Sequence, residues 1–309
     1  MTAATTAQNT LNNAQKVPLG ATVNIPPRRL DFEFDPTTAN RYFYGNDPFL
    51  SAFWLNLSAL FPEGEQFFVD SVRMYRDQIT DPTLKAQVAG FIGQEAMHSK
   101  EHDAWNKLGE QLGFPTNEID NHVGKVLKTV QRFFPKPLQL AATVCLEHYT
   151  AIMAEQLLRD EMHQTMGDPE TMKLWLWHAL EENEHKTVAY DVYETVNGSY
   201  LLRTGAMIPV TAIFFGLVAY YQVKMLRADK QLSNWKGNLK GMSYLFGRKG
   251  LFTRLVPQYL DYFKPGFHPA DHDTDALLEE WREKLFGADG LLTEQHQKAS
   301  QRKGRTKAH

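Results

Sequence analysis

The Asp-Pro pairs Asp47-Pro48, Asp81-Pro82 and Asp168-Pro169 punctuate the helical region and constrain the fold more than any other feature. An aspartate ahead of a helix accepts hydrogen bonds from the first-turn N–H groups. Proline is tolerated at the next position because its missing N–H would have no helical partner there. Each pair therefore predicts a helix start, and Lys136-Pro137 predicts another. The intervening segments carry helical periodicity, with no sustained period-2 alternation. An aromatic, apolar run after Pro48 is expected to be interrupted by Pro62, with a helix from about 63 to 78. Further helices are expected over about 82–112, 136–166 and 168–196. Four long helices in about 140 residues predict an all-α four-helix bundle.

Two Glu-x-x-His tetrads lie on the second and fourth of these helices, Glu95-Ala96-Met97-His98 and Glu182-Asn183-Glu184-His185. Residues three apart share a helix face, so each tetrad presents a carboxylate and an imidazole to a common point. One such tetrad is usually a solvated surface. Two of them, with a partner glutamate on each remaining helix, reproduce the ligand pattern of a dinuclear carboxylate site. Glu65, thirty residues before Glu95, and Glu147, thirty-five before Glu182, are those partners. Either spacing suits a helix, a turn and an antiparallel return to the same depth. Glu147 sits among Ala141, Ala142, Val144, Cys145, Leu146, Ala151, Ile152 and Met153, where a charge is costly unless paired or metal-bound.

Glu65, Glu95, Glu147, Glu182, His98 and His185 are thus the expected metal ligands and catalytic residues. Four converging carboxylates repel one another, and two divalent cations balance them. His102, then His178, are candidates for an extra ligand, each one turn along the same faces. His148 points about 100° from Glu147 and is expected to be packed or at the surface. Glu181 competes with Glu182, and Glu63 with Glu65; the tetrad spacing and the apolar neighbours Phe67 and Phe68 favour Glu182 and Glu65. Glu101 and Glu184 are expected in solvent or behind the ligands. The aromatic residues near these helices are mostly core, with some lining an apolar pocket over the metals.

Oxygen-rich ligation with two imidazoles suits two iron ions, with manganese or a mixed Mn/Fe pair as alternatives and zinc if the chemistry is hydrolytic. Cys145 is the only cysteine, which excludes a disulfide framework and a cysteine-held cluster. A net charge of −3 with mixed signs is a reason to expect no nucleic-acid partner. Residues 1–25 have a disordered composition without the apolar core of a secretory signal, 26–290 are expected as one helical domain, and 291–309 as a basic tail. Within the domain, the metal-binding core is expected over about 48–196 and a helical extension over about 200–290. The stretch 204–223 lacks charge and has Arg203 before it and Lys224 and Arg227 after it. It predicts either a helix buried against the bundle or a peripheral membrane contact. The expected location is the cytoplasm, with the inner face of the membrane as the alternative, and a homodimer is an expected partnership.

Gly64-Glu65 after Phe61-Pro62, Gly93-Gln94-Glu95-Ala96-Met97-His98, Leu146-Glu147-His148, Glu182-Asn183-Glu184-His185 and Pro265-Gly266-Phe267-His268-Pro269 resemble a bacterial family of predicted metal-dependent hydrolases. The resemblance covers roughly residues 25 to 285. In motif arrangement that family is similar to ferritin-like di-iron carboxylate proteins such as ribonucleotide reductase small subunits, fatty-acyl desaturases and arylamine N-oxygenases. It implies a ferritin-like bundle with a dinuclear metal site plus additional C-terminal helices. It also implies a di-iron oxygenase or oxidase that uses O2 and an electron donor on a small apolar, lipid-like or aromatic substrate. The alternatives are a metal-dependent hydrolase using a metal-bound hydroxide and a non-catalytic iron-binding protein.

Overall fold

A computed structural model describes residues 19–306; of the expected disordered start, 1–18 lie outside the described residues. The described chain is all-α, with no strand beyond an isolated bridge between Tyr44 and Gly167. The helices are α1 (Pro48–Arg73), α2 (Pro82–Gln111), α3 (Thr116–Phe133), α4 (Lys136–Arg159), α5 (Glu161–Met166), α6 (Pro169–His185), α7 (Val188–Val196), α8 (Tyr200–Ala228), α9 (Trp235–Phe246), α10 (Leu251–Asp261), α11 (Asp275–Phe286) and α12 (Thr293–Thr306). These three Asp-Pro pairs cap their helices as that chemistry requires, whereas Asp35-Pro36 opens only a turn, Asp35 Oδ1 accepting from the Thr37 N–H. Asp47 accepts from the N–H groups of Phe49 and Leu50, Asp81 from Leu84, and Asp168 from Glu170 and Thr171.

Pro62 does not interrupt α1, contrary to the expectation. Its ring removes the hydrogen bond that the Ser58 carbonyl would receive. Asn106 Nδ2 on α2 donates to that carbonyl instead, at 3.0 Å. The neighbouring helix supplies what the proline lacks, and α1 runs through its full length. The third expected helix breaks at Asp160, whose side chain caps α5. The fourth breaks after His185, leaving α7 as a separate piece. Helix α3 was not expected; it begins behind Pro115 without a side-chain cap, so no start signal marks it.

Helix α1 packs on α2 and on α3, α4 packs on α6, and α8 lies across α1 and α4. Three polar contacts seat α8: Asn56 Nδ2 donates to the Val218 carbonyl, Gln222 Nε2 to the Phe49 carbonyl, and Tyr149 pairs with Thr211 at 2.9 Å. Among the described residues α8 is the one helix long and apolar enough to cross a membrane, and only 22% of its most apolar window is buried.

Parts of both flanking segments lie within the described residues. Residues 19–23 form a 3-10 turn against α2, and a Cβ on Gly20 would lie 2.3 Å from the Gly90 Cα, so this approach admits only glycine. From Thr293 the expected tail is the helix α12. It is tied down by Leu292, which is buried, and by Gln295 Nε2 donating to the Leu30 carbonyl.

Candidate metal centre

Four helices each deliver glutamate to one buried point: Glu65 from α1, Glu95 from α2, Glu147 from α4 and Glu182 from α6. His98 and His185 join them one turn along α2 and α6. All six are at most 3% exposed. His185 Nε2 lies 3.1 Å from Glu95 Oε1, 3.6 Å from Glu147 Oε2 and 3.7 Å from Glu182 Oε1. His98 Nδ1 lies 3.5 Å from Glu182 Oε1 and 3.8 Å from Glu95 Oε2. These atoms form two overlapping clusters of metal-binding size, Glu95–Glu147–His185 and Glu95–His98–Glu182. A third contains Glu65, His98 and His178.

The hydrogen bonding within this cluster is deficient. Both oxygens of Glu95 and of Glu147, Glu65 Oε1, Glu182 Oε2, His98 Nδ1 and His185 Nε2 are buried without a hydrogen-bond partner. Unpaired polar atoms in a dry core are strongly unfavourable, and native proteins rarely leave several together. Divalent cations would satisfy all of them at once, so the residues present fit a metal centre. The electrostatics agree. Burial, then Glu95, pushes the carboxyls of Glu65 and Glu147 well above their ordinary range. Burial opposes charge on His98, but Glu181 and Glu95 outweigh it and push the imidazole up to about 10. Without metal, the raised values of Glu65, Glu147 and His98 mean that the site retains protons.

An outer ring orients the ligands. His98 Nε2 donates to Glu181 Oε2 at 3.1 Å, which turns Nδ1 toward the cluster. His185 Nδ1 donates to Gln94 Oε1 at 3.0 Å, which does the same for Nε2. Gln94 Nε2 in turn donates to Glu184, and Arg28 grips both Glu181 and Glu184 at 2.7–2.8 Å. Ser99 Oγ holds Glu65 Oε2 at 2.9 Å. Such partners fix ligand tautomer and angle. Glu181 therefore stands behind His98, and Glu182 faces the cluster. Glu63 lies outside, toward Lys128 at 3.8 Å. Glu101 is buried, accepting the backbone N–H groups of Asp31 and Phe32, and the Glu184 side chain is shielded from solvent within a half-buried residue. His148 is packed, its Nε2 against the Gln258 carbonyl.

His102 and His178 form a directional chain. Asn106 donates through Nδ2, so its Oδ1 accepts from Ser58 Oγ at 2.7 Å. Ser58 Oγ must then accept from His102 Nδ1 at 2.8 Å. Burial, reinforced by neighbouring imidazoles, lowers both histidines below their ordinary value and keeps them neutral. His102 Nε2 consequently accepts from His178 Nδ1 at 2.6 Å. In this neutral tautomer His178 Nε2 carries a lone pair 3.0 Å from Glu182 Oε1, a contact that is a hydrogen bond only when that nitrogen is protonated, and 3.9 Å from Glu65 Oε1. A lone pair aimed at two carboxylates is repulsive unless a cation or proton lies between them. Of the two extra candidates, His178 faces the cluster and His102 stands behind it with both ring nitrogens engaged.

Beside the centre lies an apolar cavity of about 260 Å3, walled by α1, α3, α4 and α8 and including Phe67, Phe68, Tyr149 and Phe214. Glu65 and Glu182 are part of its wall. Arg28, Ser99, Ser58 and Asn106 escape a motif search, because each acts through a candidate ligand from a position with no fixed spacing to it, and the supporting roles of Gln94 and Glu181 appear only from their hydrogen bonds.

No curated protein and no solved structure matches the chain. Over residues 26–273 it matches a family model described as a predicted metal-dependent hydrolase, and the chain belongs to that family.

Proposed function

We propose that this protein is a metal-dependent hydrolase acting on an apolar substrate, with two divalent cations held by Glu65, Glu95, Glu147, Glu182, His98 and His185. His178 contributes a third imidazole. The carrying observation is the set of buried carboxylate and imidazole atoms that converge without partners. The family membership favours hydrolysis over oxygen activation. Bound divalent metal supplies Lewis acidity, polarising a carbonyl and making a bound water acidic near neutral pH.

The protein's own groups do the rest. Glu181 and Gln94 hold the imidazoles in the ligating tautomer. Phe67 and Phe68 exclude bulk water from the substrate side, which strengthens each charge interaction inside. Glu182, a ligand candidate that also forms part of the cavity wall, would place the metal centre beside a bound substrate. Hydrolysis of an acyl ester with zinc or manganese under argon tests this. Turnover that tracks metal loading without oxygen supports it, and turnover that requires oxygen excludes it.

A second reading is oxidation of the same substrate by a di-iron centre. It is favoured by one observation, the glutamate on each of two helices with a Glu-x-x-His on each of the other two, which is the donor pattern of ferritin-like di-iron proteins. Oxygen consumption by the iron-loaded, reduced protein would favour it.

A further inference from the structure

The cavity that includes Glu65 and Glu182 also includes Pro209 and Ile213 from the exposed side of α8 and the half-exposed Phe134. We propose that it binds a single long acyl chain, delivered from an anionic lipid bilayer on which α8 and α9 rest. This rests on the proposed function only in placing the carboxyl or ester end at the metal centre, with the tail running back toward α8.

Three independent observations carry it. The first is the outer stripe of α8. Leu201, Ile208, Ile213, Tyr220 and Val223 are exposed, and no charge lies between Arg203 and Lys224. The opposite side of α8 packs on α1 and α4 along the helix, so it lies against the domain with one apolar face open.

The second is α9. Trp235, Leu239, Met242 and Phe246 recur at helical spacing and are 44–66% exposed, whereas Gly241 and Leu245 are buried. Gly241 meets Phe49 so closely that a Cβ would clash. An amphipathic helix with an outward apolar stripe, flanking lysines and a tryptophan is the form that lies in a membrane interface. The Phe246 ring lies 6.1 Å from Phe215, which joins the α9 stripe to α8.

The third is charge. From Tyr200 to Leu260 there are nine Lys or Arg and one acid, Asp229, in a chain whose net charge is −3. Asp229 is paired with Arg41. Lys236, Lys240, Arg248 and Lys249 are exposed around the apolar stripe of α9. Anionic headgroups complement this segregation. A second copy does not, because a two-fold interface sets the same cationic patch against itself. The cavity itself selects a hydrocarbon tail, since a ligand with polar groups along its length would lose hydrogen bonds among these side chains.

Flotation of the full-length, metal-loaded protein with vesicles tests the surface, and fluorescence of 11-(dansylamino)undecanoic acid tests the cavity. Binding to phosphatidylcholine vesicles containing phosphatidylglycerol is expected, with weaker binding to phosphatidylcholine alone. Leu239→Glu combined with Met242→Glu is expected to lower flotation about tenfold or more. Gly64 is a cavity-wall residue where a Cβ has open space, so Gly64→Phe is expected to occupy part of the cavity. It is expected to abolish the dansyl signal and leave flotation and metal content unchanged. Absence of flotation on anionic vesicles overturns the proposal, as does a stable dimer that Ile208→Glu dissociates. A Gly64→Phe protein that still binds the probe overturns the acyl site. A protein that floats and binds the probe but holds no metal leaves this inference standing and removes the proposed function.

Discussion

Gln94 touches no other member of the cluster directly, yet it fixes which nitrogen His185 offers, because its Oε1 can only accept and its Nε2 is occupied by Glu184. Gln94→Leu keeps the volume and frees the His185 tautomer. Metal affinity is expected to fall 10- to 100-fold, the usual effect of losing such a partner, and titration calorimetry measures it. His178→Ala and His102→Ala separate ligand from support. Removing His178 is expected to change the absorption spectrum of a cobalt-substituted protein. Removing His102 should weaken metal binding and leave the spectrum nearly intact, because His178 keeps its place in the helix. Identical spectra for wild type and His178→Ala would exclude His178 as a ligand. Glu95, His98, Glu182 and His185 are legible through helix periodicity, which turns a spacing of three into one face, and Glu65 and Glu147 through separations that suit an antiparallel return. His178 and His102 obey the same periodicity, so spacing alone does not rank them; what ranks them is the hydrogen bonding of Ser58, 44 residues from His102 on another helix, and of Asn106, one turn along the helix of His102.

At the scale of elements, α1 shows how a neighbour rescues a break. Pro62 removes one hydrogen bond, and Asn106 restores a donor to the Ser58 carbonyl. Asn106→Ala leaves that buried carbonyl and the Ser58 hydroxyl unmet, a loss of roughly 1–3 kcal/mol. Thermal denaturation should show a lower Tm, and His178 should lose the order imposed through His102. A Pro62→Ala substitution beside it is expected to recover part of the Tm, since the alanine N–H can serve the same carbonyl. The starts of α1, α2 and α6 are legible because an aspartate followed by proline is a local signal with a local effect. The persistence of α1 is not legible, because a tertiary contact overrides a local penalty. The helix α3 escapes for the complementary reason: it has no capping side chain, and its apolar face is recognisable only once α1 is there to receive it.

For the whole molecule, the unpartnered core couples stability, pH and metal. In the metal-free protein the Glu65 and Glu147 carboxyls keep their protons well above the ordinary value of 4.5. The unfolded chain releases those protons near that value, so stability falls as pH rises from there through the folded values. His98 and His185 act in the same direction. Their raised values mean that the charged imidazoles stabilise the fold below about 6.5, and this contribution is lost as pH rises through the folded values, about 10 for His98. All four groups therefore predict a metal-free protein that weakens between pH 5 and pH 10. Cations displace the same protons, and binding to the native state alone adds stability. The Tm difference between metal-loaded and metal-free protein is thus expected to widen with pH. In free-energy terms the widening is about 1.4 kcal/mol per pH unit for each proton displaced. Calorimetric titration of zinc or manganese in two buffers of different ionisation enthalpy counts those protons. A Tm gap that stays constant from pH 5.5 to 9, with no net proton release, would mean that the cations bind elsewhere and that these carboxylates have another role.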